Sequence, residues 1–174
     1  MIVQPRVVIL TTHGFQDEEY IYPYYRMLEV EFNVVTATID SNPAVGKYGT
    51  PTRGDHIQTA DMDPNNFDAI IIPGGDTAPD RLRTRPEVKL FIRQMDHDRK
   101  LLAAICHGPW VLVSAGVLKH HRATCIPYMR DDLINAGAQY DEEAQVVVED
   151  NIITAPHYRN NGDFMREVIK WLTR

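Results

Sequence analysis

The stretch LLAAICHGPWVLVSAGVL, residues 101–118, passes from a strand pattern straight into a helix pattern, and the change falls at Cys106. Residues 101–105 have the length and apolarity of a strand buried in a sheet. Gly108 permits a tight turn, and Pro109 suits the first turn of a helix, where its missing N–H costs nothing. The sequence therefore predicts a sharp strand-to-helix turn with a cysteine at its corner.

Such a turn favours reactivity at its cysteine. A thiol at a helix N-terminus has its thiolate stabilised by the helix dipole and by free amides, and these amides can also hold an oxyanion. The turn resembles the nucleophile elbow of hydrolases, with cysteine in place of serine. The alternative is a buried cysteine whose only role is to pack in the core. The adjoining His107-Gly108-Pro109 favours a reactive cysteine instead. We predict that Cys106 is a nucleophile.

Strand and helix patterns alternate along the rest of the chain. Apolar, β-branched runs predict strands at residues 6–12, 32–39, 67–72, 101–105, 123–126 and 146–154. Amphipathic or apolar helix patterns predict helices at 17–28, 86–98, 108–118 and 162–172. The Gly-, Pro- and Thr-rich segment 41–60 is predicted as loop or hairpin. This alternation predicts a single α/β domain with a mostly parallel sheet and helices on both faces.

Composition narrows the possible functions. The 174 residues carry a net charge of -6, which leaves no basic surface for nucleic acid or anionic lipid, so we expect a small-molecule substrate and neither nucleic-acid nor membrane partners. The first residues are predicted as a strand rather than a signal peptide, and no apolar run is long enough for a membrane span. Only two cysteines are present, Cys106 and Cys125, which favours a reducing compartment and a cytoplasmic location. No metal-ligating cluster and no dinucleotide fingerprint is found, so we predict neither metal nor cofactor.

Three polar clusters are placed at one edge of the predicted sheet, because ligands bind outside the carboxyl ends of parallel strands. They are residues 14–19, residues 73–80 and the pair Cys106-His107. Glu19 and Cys106 are thereby brought together, although 87 positions separate them in the chain. His13 is placed at the same edge as a pocket residue, with a solvated loop histidine as the alternative.

These motifs together resemble the PfpI/ThiJ-type superfamily. The family's first helix is matched by GFQDEEYIYPYYRMLE (14–29), its strand-three turn by FDAIIIPGGDTAPDRLR (67–83), and its elbow by AAICHGPWVLVSAGVL (103–118). The match continues through DDLINAGAQY (131–140) and FMREVIKWL (164–172), so it runs nearly end to end. The resemblance implies a flavodoxin-like three-layer α/β sandwich, with one PfpI/ThiJ-type domain over residues 1–174.

The resemblance also implies roles for individual residues. Glu19 matches the family's glutamate on the first helix, which lies close to the sulfur and shares a proton with it; burial would raise its pKa enough for that. Gly75, which follows Gly74 in the same turn, matches the glycine whose backbone amide forms an oxyanion hole with that of Cys106. His107 matches the general base or orienting group of the peptidase branch, although its ring could instead point away from the sulfur.

The predicted pocket wall departs from the best-known members. Asp80 stands where the peptidase branch has a glutamate donated by a neighbouring subunit, and Ile126 stands where it often has a tyrosine. His157 and Tyr158 occupy the place of a Ser-Arg pair, and Gln16 replaces a common glutamate. We predict Asp80, Ile126, His157 and Tyr158 as binding residues, and we infer no substrate from any single member.

The function expected from the resemblance is a cysteine-dependent enzyme of the glyoxalase III or deglycase kind, acting on a small aldehyde or acyl substrate through Cys106, Glu19 and His107. Cysteine peptidase or amidase activity, isonitrile hydration, and a redox-sensing or chaperone-like stress role are the alternatives. The resemblance further implies a homodimer or homohexamer with active sites near the interface.

Overall fold

The computed structural model describes residues 4–174, which form nine strands and six helices. The strands are β1 Arg6–Leu10, β2 Asn33–Thr38, β3 His56–Gln58, β4 Ala69–Ile72, β5 Leu101–Ile105, β6 Arg122–Ala123, β7 Gln139–Tyr140, β8 Val147–Glu149 and β9 Ile152–Ala155. The helices are α1 Asp17–Glu29, α2 Thr77–Leu82, α3 Pro86–His97, α4 Pro109–Ala115, α5 Arg130–Asn135 and α6 Asn161–Leu172. None of these six helices has the length and apolarity needed to cross a bilayer.

Seven strands form one sheet in the order β3-β2-β1-β4-β5-β9-β8. All neighbours pair in parallel except β8, which runs antiparallel to β9 at one edge. From β1 the chain builds outward first to β2 on one side and then to β4 on the other. The strand order therefore reverses between β1 and β4, and a crevice for ligands opens at the carboxyl ends of these strands. The predicted mostly parallel α/β fold is confirmed.

The core lies on both faces of this sheet. Because successive side chains of a strand point to opposite faces, the central strands β1, β4 and β5, which are buried apart from Arg6, need cover on each side. Helices α1 and α6 cover one face through residues such as Tyr20 and Phe164. Helices α3 and α4 cover the other through residues such as Phe91 and Leu112.

Four local differences from the predictions are found. Strand β3 lies inside the segment predicted as loop, because pairing with β2 holds three residues that carry no apolar pattern of their own. Segment 146–154 forms two strands, since the chain reverses at Asp150, where φ is 52°. Of segment 123–126 only Ala123 lies in a strand, and the six-residue helix α2 falls in a part of the chain for which no element was predicted.

Candidate active site

Cys106 lies at the corner between β5 and α4, in the predicted strand-to-helix turn. Its φ of 61° is in the left-handed region, which a non-glycine residue adopts only when its surroundings hold it there. Two backbone hydrogen bonds do so: its N–H donates to the Ala155 carbonyl (2.9 Å), and its carbonyl accepts from the Ile126 N–H (3.1 Å). Gly108 completes the turn, because a Cβ there would collide with the Ile72 carbonyl oxygen.

Two backbone amides are directed at the cysteine sulfur. The N–H groups of Gly75 and His107 lie close enough to it to lower the pKa of the thiol. From the sequence, we expected an oxyanion hole formed by the Cys106 and Gly75 amides. The part of this expectation that concerns the Cys106 amide is wrong. The Cys106 N–H is engaged with Ala155, because the sheet hydrogen bonding of β5 with β9 continues one residue past the strand. The His107 amide is the free donor at this turn.

Glu19 lies beneath the sulfur, on the first turns of α1. Its side chain is completely buried, and its Oε2 accepts a hydrogen bond from the Gly74 N–H at 2.7 Å. The other carboxyl oxygen, Oε1, is buried without a hydrogen-bond partner in the described residues. Burial raises the pKa of Glu19 to about 8, although the Gly74 N–H and the adjacent Cys106 thiol oppose the rise. The carboxyl is therefore mainly protonated at neutral pH and can donate a hydrogen bond to the sulfur.

Gly74 fits between these two side chains with no space to spare. A Cβ at this position would come within 2.6 Å of Glu19 Oε2 and 2.8 Å of both Cys106 Cβ and the His107 nitrogen. Real Cβ atoms do not approach other atoms that closely, so an added methyl group must displace the carboxyl, the cysteine or the turn. The Pro73-Gly74-Gly75 turn thus brings α1 and the elbow into direct contact.

The thiol and the carboxyl behave as one unit. Burial first, and then a charged Glu19, raise the pKa of the Cys106 thiol, and the seven-residue helix α4 does not offset them. The sequence predicted a thiolate stabilised mainly by the helix N-terminus, and in the structure burial and a charged Glu19 oppose that stabilisation. Since two adjacent buried groups cannot both be ionised, the sulfur gains thiolate character only while Glu19 keeps its proton.

His107 reaches the sulfur from the solvent side, with its Nδ1 at 3.4 Å from Cys106 Sγ. Its ring therefore points toward the sulfur, and the alternative orientation is not seen. Burial lowers the pKa of His107, the nearby Asp76 raises it and Lys47 lowers it, with a net decrease. The imidazole is neutral at pH 7 and can accept the thiol proton. The Trp110 ring packs beside it, with centroids 5.5 Å apart.

A pocket of about 330 Å³ opens above the sulfur. Six of the predicted residues line it: Gly75, Cys106, His107, Ile126, His157 and Tyr158. Glu19 and Gly74 lie directly below it, in contact with the cysteine. Four more residues complete the lining, Gln16, Lys47, Asp76 and Tyr128. Of these, Lys47 and Tyr128 were not predicted, and Asp76 was predicted only as part of the cluster 73–80. The only sequence signal for Lys47 and Tyr128 is their place in segments that follow carboxyl ends of strands.

Two predicted residues do not line this pocket. His13 is exposed, and its Nδ1 accepts a hydrogen bond from the Val45 N–H at 3.1 Å, so it supports the loop after β2 instead. Asp80 points outward from α2, where its carboxylate lies 3.5 Å from Arg83 Nε. Because α2 carries Asp80 away from the sulfur of its own chain, a role toward a neighbouring subunit stays a prediction.

A buried cysteine at a strand-to-helix turn, with two amides directed at its sulfur and a buried carboxyl below it, defines an α/β protein of the nucleophile-elbow class. The family model described as DJ-1/PfpI family matches residues 5–171, and the chain belongs to that family.

Named relatives agree with this assignment. "Deglycase PH1704" of Pyrococcus horikoshii is 37% identical over 167 residues, which cover 96% of this chain and 99% of the relative. "Putative cysteine protease YraA" of Bacillus subtilis is 36% identical over 168 residues, covering 96% and 98%. The crystal structure of Drosophila melanogaster DJ-1beta superposes with a TM-score of 0.91 at 22% identity, covering 98% of this chain and 91% of that one, and it supports the fold alone.

Proposed function

We propose that the protein is a cysteine-dependent enzyme of the deglycase or glyoxalase III kind, with the Cys106 sulfur as nucleophile toward the carbonyl carbon of a small aldehyde or its adduct. The observation that carries the proposal is the set of contacts at one sulfur: His107 Nδ1 at 3.4 Å, the Gly75 and His107 amides, and the buried Glu19 carboxyl. The relatives named deglycases, which match nearly the whole chain, support this reaction class.

The geometry supplies each part of an addition step. The thiol proton passes to the neutral His107 ring, and a bond forms between sulfur and carbonyl carbon while the π-electron pair moves to the oxygen. The Gly75 and His107 N–H groups lie beside the sulfur, where they stabilise the developing oxyanion. Transfer of a proton to that oxygen, from the imidazolium or from Glu19, gives a neutral hemithioacetal.

Cysteine peptidase or amidase activity is the second candidate. The contact between Cys106 and His107 and the two amides are also what an acyl transfer needs, and the relative named a putative cysteine protease supports this activity. Two observations argue against peptidase activity within a single chain. Asp80 points outward, and no carboxylate forms an ion pair with His107 in the described residues.

A substrate panel separates the two candidates. Wild type, Cys106→Ala and Cys125→Ala are assayed on methylglyoxal, glyoxal, an amide and a peptide. We expect aldehyde turnover in wild type and Cys125→Ala, and a loss of about 10³-fold or more in Cys106→Ala. Hydrolysis of the amide or peptide without aldehyde turnover supports the second candidate. Aldehyde turnover that survives in Cys106→Ala contradicts a nucleophilic cysteine.

We further propose a homo-oligomer in which Asp80 faces a neighbouring subunit's site. Its side chain is 63% exposed in the single chain and lies on α2, which directly follows the pocket residues Gly75 and Asp76. Sedimentation measures the assembly, and mixing Asp80→Asn with Cys106→Ala subunits tests the contact. If each site combines Cys106 of one subunit with Asp80 of another, each variant alone is impaired and the mixture regains activity. Wild-type activity in Asp80→Asn alone contradicts a role of Asp80 in a neighbouring site.

A further inference from the structure

The pocket contains a lysine that the proposed chemistry does not use. Lys47 lies at the exposed rim and lines the same pocket as Cys106 and His107. Nine ion pairs form between residues 4 and 174, and Lys47 takes part in none of them. Its ammonium lies 5.8 Å from the centroid of the exposed Tyr48 ring. Because such an exposed cation–π contact is weak, the ammonium stays available to a carboxylate in the pocket.

The backbone that carries Lys47 is held firmly against the site. Its own N–H donates to the Phe15 carbonyl at 2.8 Å, and the Val45 N–H donates to His13 Nδ1 at 3.1 Å. Beyond Lys47, two more backbone N–H groups donate to the buried Asp17 carboxylate, at 2.9 and 2.8 Å. The start of α1 and the strand end before it therefore fix where the lysine stem begins.

A molecule bound in the pocket would lie near two opposite charges, Lys47 and Asp76, which both act on the His107 ring. Burial is the main cause of the lowered pKa of His107; the Lys47 ammonium lowers it further and the Asp76 carboxylate raises it. Both charged side chains are thus close enough to act on the ring next to the nucleophile. They form no ion pair with each other, so neither charge cancels the other by contact.

We infer that Lys47 makes this pocket selective for molecules that carry a carboxylate next to their electrophilic carbon. A substrate of this class is a 2-oxo acid with an aldehyde carbon, such as glyoxylate, and this part of the inference rests on the proposed function. Lys47 binds the carboxylate while the adjacent carbon lies over the sulfur. Asp76 opposes the same group by repulsion, so removal of either side chain must shift the preference, and in opposite directions.

The test compares two alkylating agents that share one reacting carbon. Iodoacetate carries a carboxylate and iodoacetamide a neutral amide, and each transfers its methylene carbon to sulfur with loss of iodide. The rate ratio of iodoacetate to iodoacetamide at Cys106 is measured by peptide mass spectrometry, which separates Cys106 from Cys125. We expect Lys47→Gln to lower the ratio by about fivefold, and added salt to shrink that difference.

Matched variants make the result specific. Lys47→Arg keeps the positive charge and should hold the wild-type ratio, and Asp76→Asn should raise it. Lys119→Gln removes an exposed lysine that is outside the pocket lining and should leave the ratio unchanged. A ratio that is the same in wild type and Lys47→Gln overturns the inference, and so does an equal decrease in Lys119→Gln.

Turnover of glyoxylate and of methylglyoxal then separates this inference from the proposed function. If both are turned over, Lys47→Gln should raise KM for glyoxylate by about fivefold and leave that for methylglyoxal within twofold. Turnover of both with a ratio independent of Lys47 keeps the proposed function and refutes the inference. No turnover of either, with a Lys47-dependent alkylation ratio, refutes the proposed function and keeps the carboxylate preference.

Discussion

Beneath the Cys106 sulfur, Glu19 is completely buried and Gly74 has no room for a Cβ. Above the sulfur, Tyr128 is 89% exposed, and Lys47 and Asp76 are exposed as well. We call Glu19 and Gly74 the floor of the site and Lys47, Asp76 and Tyr128 its rim. Close packing leaves no free space at the floor, whereas solvent surrounds the rim. Under the proposed function, we expect the floor to govern the reaction and the rim to govern the choice of substrate.

The largest effect is expected from the floor carboxyl. In Glu19→Gln the amide is nearly the same size and can still accept from the Gly74 N–H, but it cannot transfer a proton. We expect kcat for methylglyoxal to fall by about 10² to 10⁴ while the circular dichroism spectrum is unchanged. Glu18→Gln, at the exposed neighbouring position, is the control and should stay within about twofold. Equal activity in both variants would remove Glu19 from the reaction.

The second prediction adds one methyl group to the floor. Gly74→Ala should lower the free energy of unfolding by about 1 to 3 kcal/mol, because the new Cβ meets Glu19, Cys106 and the turn. The control is Gly162→Ala on α6, where nothing lies within 4 Å and where alanine should stabilise by about 0.5 to 1 kcal/mol. Urea unfolding measures both. Similar values for the two variants would mean that the floor tolerates expansion.

The third prediction concerns pH. Burial raises the pKa of Glu19 from 4.5 to about 8, so between these values the folded chain holds a proton that the unfolded chain has lost. This contribution to stability is complete below pH 4.5 and is lost as pH rises to about 8, with a slope of at most about 1.4 kcal/mol per pH unit. Urea unfolding at pH 5 and pH 8 should show the slope in wild type and a weaker one in Glu19→Gln. Parallel slopes would contradict the raised pKa.

The smallest effect on stability is expected at the rim. Tyr128→Ala removes a side chain that packs against little, so the free energy of unfolding should change by no more than about 0.5 kcal/mol. Because Tyr128 lines the pocket, KM should rise by a few-fold while kcat changes little. Tyr22→Ala, on the exposed side of α1 and outside the pocket, should change neither kinetic constant. A large loss of kcat in Tyr128→Ala would contradict the expectation that rim residues affect substrate binding rather than the reaction.

Much of the fold could be predicted from the sequence because its long elements carry clear periodicity. The buried strands β1, β4 and β5 and the amphipathic helices α3 and α6 lie close to their predicted positions. The short elements β3 and α2 could not be found in the same way. Three to six residues are too few to show a period, and pairing with β2 or contact with α4 decides their conformation.

The residues of the floor could be predicted from the sequence, whereas Lys47 and Tyr128 of the rim could not. Glycines at the Gly74 and Gly108 turns mark places where the backbone passes too close for any side chain, and such constraints are visible in sequence. Lys47 and Tyr128 obey no comparable constraint, since many residues can occupy an exposed loop. The one error within the turn, at the Cys106 amide, arose because the pairing of β5 with β9 extends past the strand end.

That same pairing has a consequence for how the site can be altered. The main chain of Cys106 binds the last residue of β9, Ala155, and the segment before α5 through Ile126. Main-chain hydrogen bonds do not depend on side-chain identity, so both segments keep their register when their sequences change. We therefore expect that residues 127–128 and 156–158 can be exchanged between homologous proteins, giving chimeras with new pocket walls and an unmoved nucleophile, provided that the buried Met129 is kept.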